Sequence, residues 1–239
     1  MMTNVKISMN NYNISFMRWG TIARRHPSAF LLAAQLISLV LYVAFEGVPH
    51  GSFFLGVFGT LVLLLVVWVV IRSPAISWIA WIIAASVIFL SLLSFLLADP
   101  AMLIWAALLE AALYFYGAGG LITYVMRDEQ VTADDLFAVG ATFTLIAWGF
   151  AYLYLVCQAW SPGSFAYGTH PEEPLTFLEL LFLSFANLSA TGLSDIVPIS
   201  SASRVLVMLE QFTGVAYLAV VVSRLIGLTI VRHQDKGKP

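Results

Sequence analysis

The chain has 239 residues, 61% of them hydrophobic and only 10% charged, with a formal net charge of -2. A soluble domain runs about 45–50% apolar and about 25% charged, so this composition excludes a soluble globular protein and describes an integral membrane protein with little mass outside the bilayer. The basic residues form no dense patch, so no nucleic-acid partner is read, and the single cysteine, Cys157, has no partner for a disulfide, a CxxC redox pair or a zinc site.

The first 27 residues are polar and the apolar run that follows is long enough to span, so no removable signal peptide is read. A helix needs about 20 predominantly apolar residues to cross the hydrocarbon core. Runs of that kind lie at 28–46, 52–71, 76–98, 101–125, 136–159 and 201–230, predicting six crossings. Breakers fall between them: Gly-Val-Pro-His-Gly-Ser at 47–52, Arg-Ser-Pro at 72–74, Asp-Pro at 99–100 and Ser-Pro-Gly at 161–163. The fourth run carries one acid, Glu110, and no Arg or Lys before Arg127. A voltage sensor needs several arginines within the helix, so conventional voltage sensing is not expected. Glu110 reads either as a proton- or cation-sensing group or as an acid hydrogen-bonded between helices. The stretch 126–135 is the most charged in the chain, and Thr132 or Asp134 is placed to cap the fifth span. Cys157 sits inside that span and reads as a buried thiol.

Charge at the span ends tests this topology. With both termini cytoplasmic, Arg72, Arg127, Arg224, Arg232 and the basic residues of both tails fall inside, and Arg204 alone falls outside. The outer loops carry Asp99, Glu172, Glu173 and Asp195. With few residues after Arg232, no cytoplasmic ligand-binding domain is expected.

A seventh apolar run, 175–188, is too short to span and reads as a re-entrant pore helix. Thr176 followed by Glu179 is a capping-box signature for its start. Its carboxyl end, with unpaired carbonyls and partial negative charge, points toward the bilayer centre and favours a cation. The string that follows, Ala190, Thr191, Gly192, Leu193, Ser194 and Asp195, supplies carbonyls and two hydroxyls with no positive side chain. Oxygen ligands replace the water around a monovalent cation, so this loop is a candidate ion filter, with the ion at Thr191, Gly192 and Leu193. One loop does not encircle an ion, and closed symmetry makes a homotetramer, each chain with three identical partners in the bilayer, the first choice.

Several segments resemble bacterial six-helix members of the potassium-channel pore superfamily. They are Val-Thr-Ala-Asp-Asp at 131–135, Pro-Gly-Ser-Phe at 162–165, Asp-Ile-Val-Pro at 195–198 and the run from Arg204 to Gly227. The resemblance covers 131–231 and implies an all-α, six-helix membrane protein with a pore helix, filter and homotetrameric assembly in a bacterial plasma membrane. The domains follow: a cytoplasmic segment 1–27, a sensor-like unit 28–126 without gating arginines, a linker 127–135, a pore domain 136–231 and a tail 232–239. Within the pore domain the pore helix is 175–188, the filter 190–195 and the inner helix 201–231. No cofactor is implied beyond the permeant potassium or sodium.

The family filter usually reads Thr-Val-Gly-Tyr-Gly-Asp. Here Ala190 removes the innermost hydroxyl, Leu193 removes the bracing phenol, and Ser194 takes the place of a glycine whose conformation costs a residue with a Cβ roughly 1–2 kcal/mol. Ser194 is therefore expected to strain or redirect the loop, and potassium selectivity to weaken. One glycine followed by a hydroxyl residue resembles the filter loops of Trk, Ktr and HKT cation uptake proteins. Gly214 reads as an inner-helix hinge or a close-packing site, and Glu210 as a brace behind the filter or a cavity-facing acid. Asp195 is expected at the outer vestibule, with Arg204 neutralising one of the acids there. A secondary cation transporter and a non-conducting channel homologue are the alternatives. An enzyme is not expected, because His26, His50, His170 and His233 lie at ends or in loops.

Overall fold

Apolar runs without interior charge become helices in a bilayer because every backbone group must find its partner within its own segment. A computed structural model describes residues 27–45, 51–70, 77–97, 100–127, 132–167 and 174–236. Among them are seven helices and two short strands. The helices are α1 (Pro27–Phe45), α2 (Gly51–Val70), α3 (Ser77–Leu97), α4 (Pro100–Arg127), α5 (Ala133–Trp160), α6 (Phe177–Leu188) and α7 (Ser201–Lys236). The strands are β1 (Phe165–Tyr167) and β2 (Ile196–Pro198). The N-terminal segment, the breakers around 47–50 and 72–74, Asp99, most of the charged linker, Glu172 and Glu173 lie outside the described residues.

Four of the described helices are long and apolar enough to cross a membrane: α1, α4 from Ala101, α5, and α7 as far as Arg224. Helices α2 and α3, of 20 and 21 residues, stand where the second and third spans are expected. The chain is thus a multi-pass helical membrane protein.

Helix α5 is the hub. It is apolar on all sides, and a helix of that kind is buried all round. Here α1 and α4 cover one side and α6 and α7 another. Its start is fixed by a capping box: Thr132 Oγ1 accepts from the Asp135 amide at 3.2 Å, and an Asp135 carboxylate oxygen accepts from the Thr132 amide at 2.7 Å. Asp134, instead of capping, accepts from Ser28 Oγ of α1 at 3.0 Å and from Tyr124 of α4. Midway, Thr144 donates to Gln35 of α1 at 2.6 Å, both residues being buried. These polar pairs fix the register of helices whose apolar surfaces alone discriminate little in lipid.

Aromatic packing joins the first helices to α6. Tyr114 of α4 stacks on Tyr152 of α5 at 5.6 Å and meets Trp148 edge-on at the same distance. Phe177, the first residue of α6, lies 4.6 Å from Tyr152, 5.7 Å from Tyr42 of α1 and 6.1 Å from Trp148. Trp78, Trp105 and Trp160 are exposed, whereas Trp148 is a core residue; Cys157 is buried.

The all-α expectation needs one addition. Strands β1 and β2 form a two-stranded antiparallel ribbon, with Phe165 opposite Pro198 and Tyr167 opposite Ile196. Three-residue strands carry too little alternation to be read in sequence. The ribbon clips the turn after α5 to the segment leaving the candidate filter, and Pro198 closes its end, where a missing N–H costs no ladder bond.

Candidate functional site

Helix α6 begins where the Thr-x-x-Glu spacing places it. Thr176 Oγ1 accepts from the Glu179 amide at 3.3 Å, and Glu179 Oε2 accepts from the Thr176 amide at 2.7 Å. The residue before the cap is pinned as well. Gln158 of α5 forms a two-way clamp on the Leu175 backbone, its side-chain amide donating at 3.0 Å and its oxygen accepting at 2.8 Å.

The carboxyl end of α6 differs from the expectation of unpaired carbonyls. It closes in a Schellman motif, in which the two residues past the cap return their amides to the last turn. The Ala190 amide donates to the Asn187 carbonyl at 3.0 Å, and the Thr191 and Gly192 amides donate to the Ala186 carbonyl at 3.1 and 3.0 Å. The Ser189 amide takes the Phe185 carbonyl at 3.1 Å. Such a turn requires a left-handed residue, and Ala190 supplies it at φ 57°. Ser194, expected to strain or to redirect the loop, lies outside the left-handed region: the positive φ values in the loop belong to Ala190 and to Gly192, at 65°. An alanine in the left-handed region costs roughly 1–2 kcal/mol. The helix-ending turn, and not the family's second glycine place, sets the local backbone.

Beyond the turn, the loop side chains leave the chain's own core. Leu193 is 77% exposed, and Thr191, Gly192 and Asp195 are exposed with it. The Thr191 hydroxyl turns back to the helix end, donating to the Ala186 carbonyl at 3.3 Å and lying 3.0 Å from Ser189 Oγ. The Ser194 amide donates to the Gly192 carbonyl at 3.0 Å, and Ser194 Oγ accepts from the Ile196 amide at 3.1 Å. Ser194 thus forms the corner that leads into β2.

Behind the loop, Glu210 of α7 is fully buried. One carboxylate oxygen accepts from Tyr154 of α5 and the other from Ser184 of α6, which also reaches the Ala147 carbonyl at 2.8 Å. Asn187 adjoins this cluster and accepts from Gln211 at 3.4 Å. A buried carboxyl group is tolerated only where hydrogen bonds replace its water. Glu210 thereby links α5, α6 and α7. One turn further, Gly214 lets the α6 terminus lie against α7: a Cβ there would stand 2.1 Å from the Leu188 carbonyl oxygen. The packing reading of Gly214 is the one this geometry displays.

A serine cluster fixes the far end of the loop. The Ser164 carbonyl accepts from the Ile199 amide at 2.8 Å and from Ser203 Oγ at 2.7 Å, and Ser200 Oγ caps α7 by accepting from the Ser203 amide at 3.1 Å. Arg204 donates through Nε to the Pro198 carbonyl at 3.3 Å; Glu172 and Glu173, two of the acids it was expected to neutralise, lie outside the described residues. Glu110 of α4 has Tyr42, Tyr114 and Tyr152 as its electrostatic neighbours.

Sequence reasoning named Thr176, Glu179, Glu210 and Gly214 but missed Gln158, Tyr154, Ser184 and the serine cluster. The signal available was a polar residue inside an otherwise apolar helix. Its partner lies 17 to 56 residues away, beyond any local spacing rule.

No curated protein and no solved structure matches this chain. The model of a family described as "Ion channel" matches residues 140–230, the span from early α5 through α6 and the loop to most of α7. That match, on a chain with several membrane-length apolar helices, supports an ion channel in a multi-pass membrane protein.

Proposed function

We propose that the chain is one subunit of a homotetrameric monovalent cation channel of potassium-channel type, with residues 190–195 of four copies forming the filter. The supporting observation is the pairing of a rigidly held short helix with an exposed loop, inside the region that matches the ion-channel family. Hydrogen bonds from α5 and α7 hold α6, while Thr191, Gly192, Leu193 and Asp195 present themselves outward, where other copies meet them.

In this reading six crossings leave both termini cytoplasmic, residues 28–126 form the sensor-like unit and 136–231 the pore. The permeant sodium or potassium ion takes carbonyl oxygens at Thr191, Gly192 and Leu193, and Asp195 draws cations to the outer mouth. The filter lacks a hydroxyl at Ala190 and a second glycine, so it holds fewer well-formed sites and discriminates little between the two ions. Helix α4 has no Arg or Lys before Arg127, so it lacks the row of basic charges that voltage moves in a sensor helix.

Purified protein in planar bilayers under opposed sodium and potassium gradients provides the test. We expect channel-sized unitary currents, a reversal potential well away from the potassium equilibrium value, and an open probability nearly independent of voltage. A reversal at the potassium equilibrium value would overturn the selectivity claim. Flux limited to a carrier's turnover would overturn the channel itself.

A further inference from the structure

The polar cluster behind the loop has more hydrogen bonds than hydroxyl protons. Three oxygen–oxygen contacts meet there: Tyr154 with one carboxyl oxygen of Glu210, Ser184 Oγ with the other, and Ser184 Oγ with the Ala147 carbonyl at 2.8 Å. Each contact at this distance holds one proton, because two oxygens brought so close with only lone pairs between them repel. Tyrosine and serine each bring a single hydroxyl proton, and a carbonyl brings none. Two protons do not serve three bonds. A carboxylate at Glu210 would take the protons of Tyr154 and Ser184 and leave Ser184 facing the Ala147 carbonyl lone pair to lone pair.

The surroundings give a carboxylate no other support. Ala147, Tyr154, Ser184 and Glu210 are all without exposed surface. Helices α5 and α6 contain no Lys, Arg or His, and the nearest basic residues of α7, Arg204 and Arg224, lie six and fourteen positions from Glu210, about 9 and 21 Å along the axis. The groups that adjoin the carboxyl are the Tyr154 phenol of α5, with the Cys157 thiol beside it, and Ser184 and Asn187 of α6. The other acids of these helices stand at their starts, Asp134 engaged with Ser28 and Tyr124, and Asp135 and Glu179 engaged in caps. A buried charge with no partner of opposite sign is too costly to keep, so the neutral group takes its place.

We propose that Glu210 is held as a carboxylic acid whose own proton completes a closed relay. Tyr154 donates to the carbonyl oxygen of the acid, the acid donates to Ser184 Oγ, and Ser184 donates to the Ala147 carbonyl. The relay runs from α5 to α7, on to α6 and back to α5, so one bound proton ties three helices together behind the loop. Its withdrawal breaks the link between α7 and α6. A neutral acid adds no field to the end of α6, so Glu210 is a positioning residue and attracts no cation. The site depends on helix packing and not on conduction, so a silent pore leaves it standing.

Infrared difference spectroscopy of the purified full chain at neutral pH tests this, because a carboxylic acid has a C=O stretching band that a carboxylate lacks. We expect a component of that band to be present in the wild type and in Glu110→Gln and to be lost in Glu210→Gln. In Tyr154→Phe the component should persist and move to higher wavenumber, since the carbonyl oxygen loses its donor; a merely structural role for Glu210 produces no such shift. Thermal unfolding gives a second readout. Glu210→Gln keeps a donor toward Ser184 and an acceptor toward Tyr154, so it should melt close to the wild type, with Glu210→Ala well below both. Loss of carboxylate absorption in Glu210→Gln, in place of the acid component, would overturn the proposal. So would a component unmoved in Tyr154→Phe, or a Glu210→Gln protein that fails to fold or melts with Glu210→Ala.

Discussion

Replacing Gly214 by Ala adds one methyl group where the end of α6 lies against α7. That carbon would lie 2.1 Å from the Leu188 carbonyl oxygen, 2.8 Å from its carbonyl carbon and 3.0 Å from its Cα. All three obstructing atoms are backbone, so no side-chain rotation relieves the overlap. To restore contact, the end of α6 must retreat by about 1 Å, and the Schellman turn and loop move with it. Overpacking by one methylene costs about 1–3 kcal/mol where neighbours adjust, and a backbone obstruction belongs at or above the top of that range. At about 2–4 °C per kcal/mol for a chain of this size, the melting temperature should fall by roughly 6–12 °C. Thermal unfolding of the purified protein measures this, with Gly119→Ala as the control, since nothing lies within 4 Å of a Cβ at that helical glycine. Adding Leu188→Ala should bring no rescue, because the obstruction is the carbonyl and not the side chain. Equal melting temperatures for Gly214→Ala and Gly119→Ala, or full rescue by Leu188→Ala, would refute the packing argument.

Two further substitutions probe the elements that hold the loop. Ala190→Gly should raise stability by about 0.5–1 kcal/mol, because relief of the left-handed strain exceeds glycine's added chain entropy, and Ala190→Val should lower it; a melting temperature that falls with glycine would remove the Schellman assignment. Glu210→Ala leaves the Tyr154 hydroxyl without its buried acceptor and should cost about 1–3 kcal/mol. Tyr154→Phe, which removes the donor instead, should cost less. In a double-mutant cycle the two changes should couple by about 0.5–3 kcal/mol, and strict additivity would show that the pair is not an energetic unit.

Composition and hydropathy by themselves determined that the protein lives in a bilayer, and they place every long helix, because span length and backbone satisfaction in lipid are local requirements. The start of α6 was legible for the same reason: Thr176 and Glu179 satisfy each other within one turn. So was the position of the loop, which follows where an apolar run stops short. Legibility ended at contacts between segments. Only the tertiary structure decided that Glu210 meets Tyr154 and Ser184, that Gln158 clamps Leu175, and that Gly214 admits the Leu188 carbonyl. The loop shows the same division. Comparison with the family pattern left a strained or a redirected loop open at Ser194, whereas the return of the Ala190 and Thr191 amides to the last turn of α6 places the left-handed residue at Ala190. Residue types list the donors and acceptors a chain carries, but which of them meet depends on how its helices cross, and that is a property of the packed molecule.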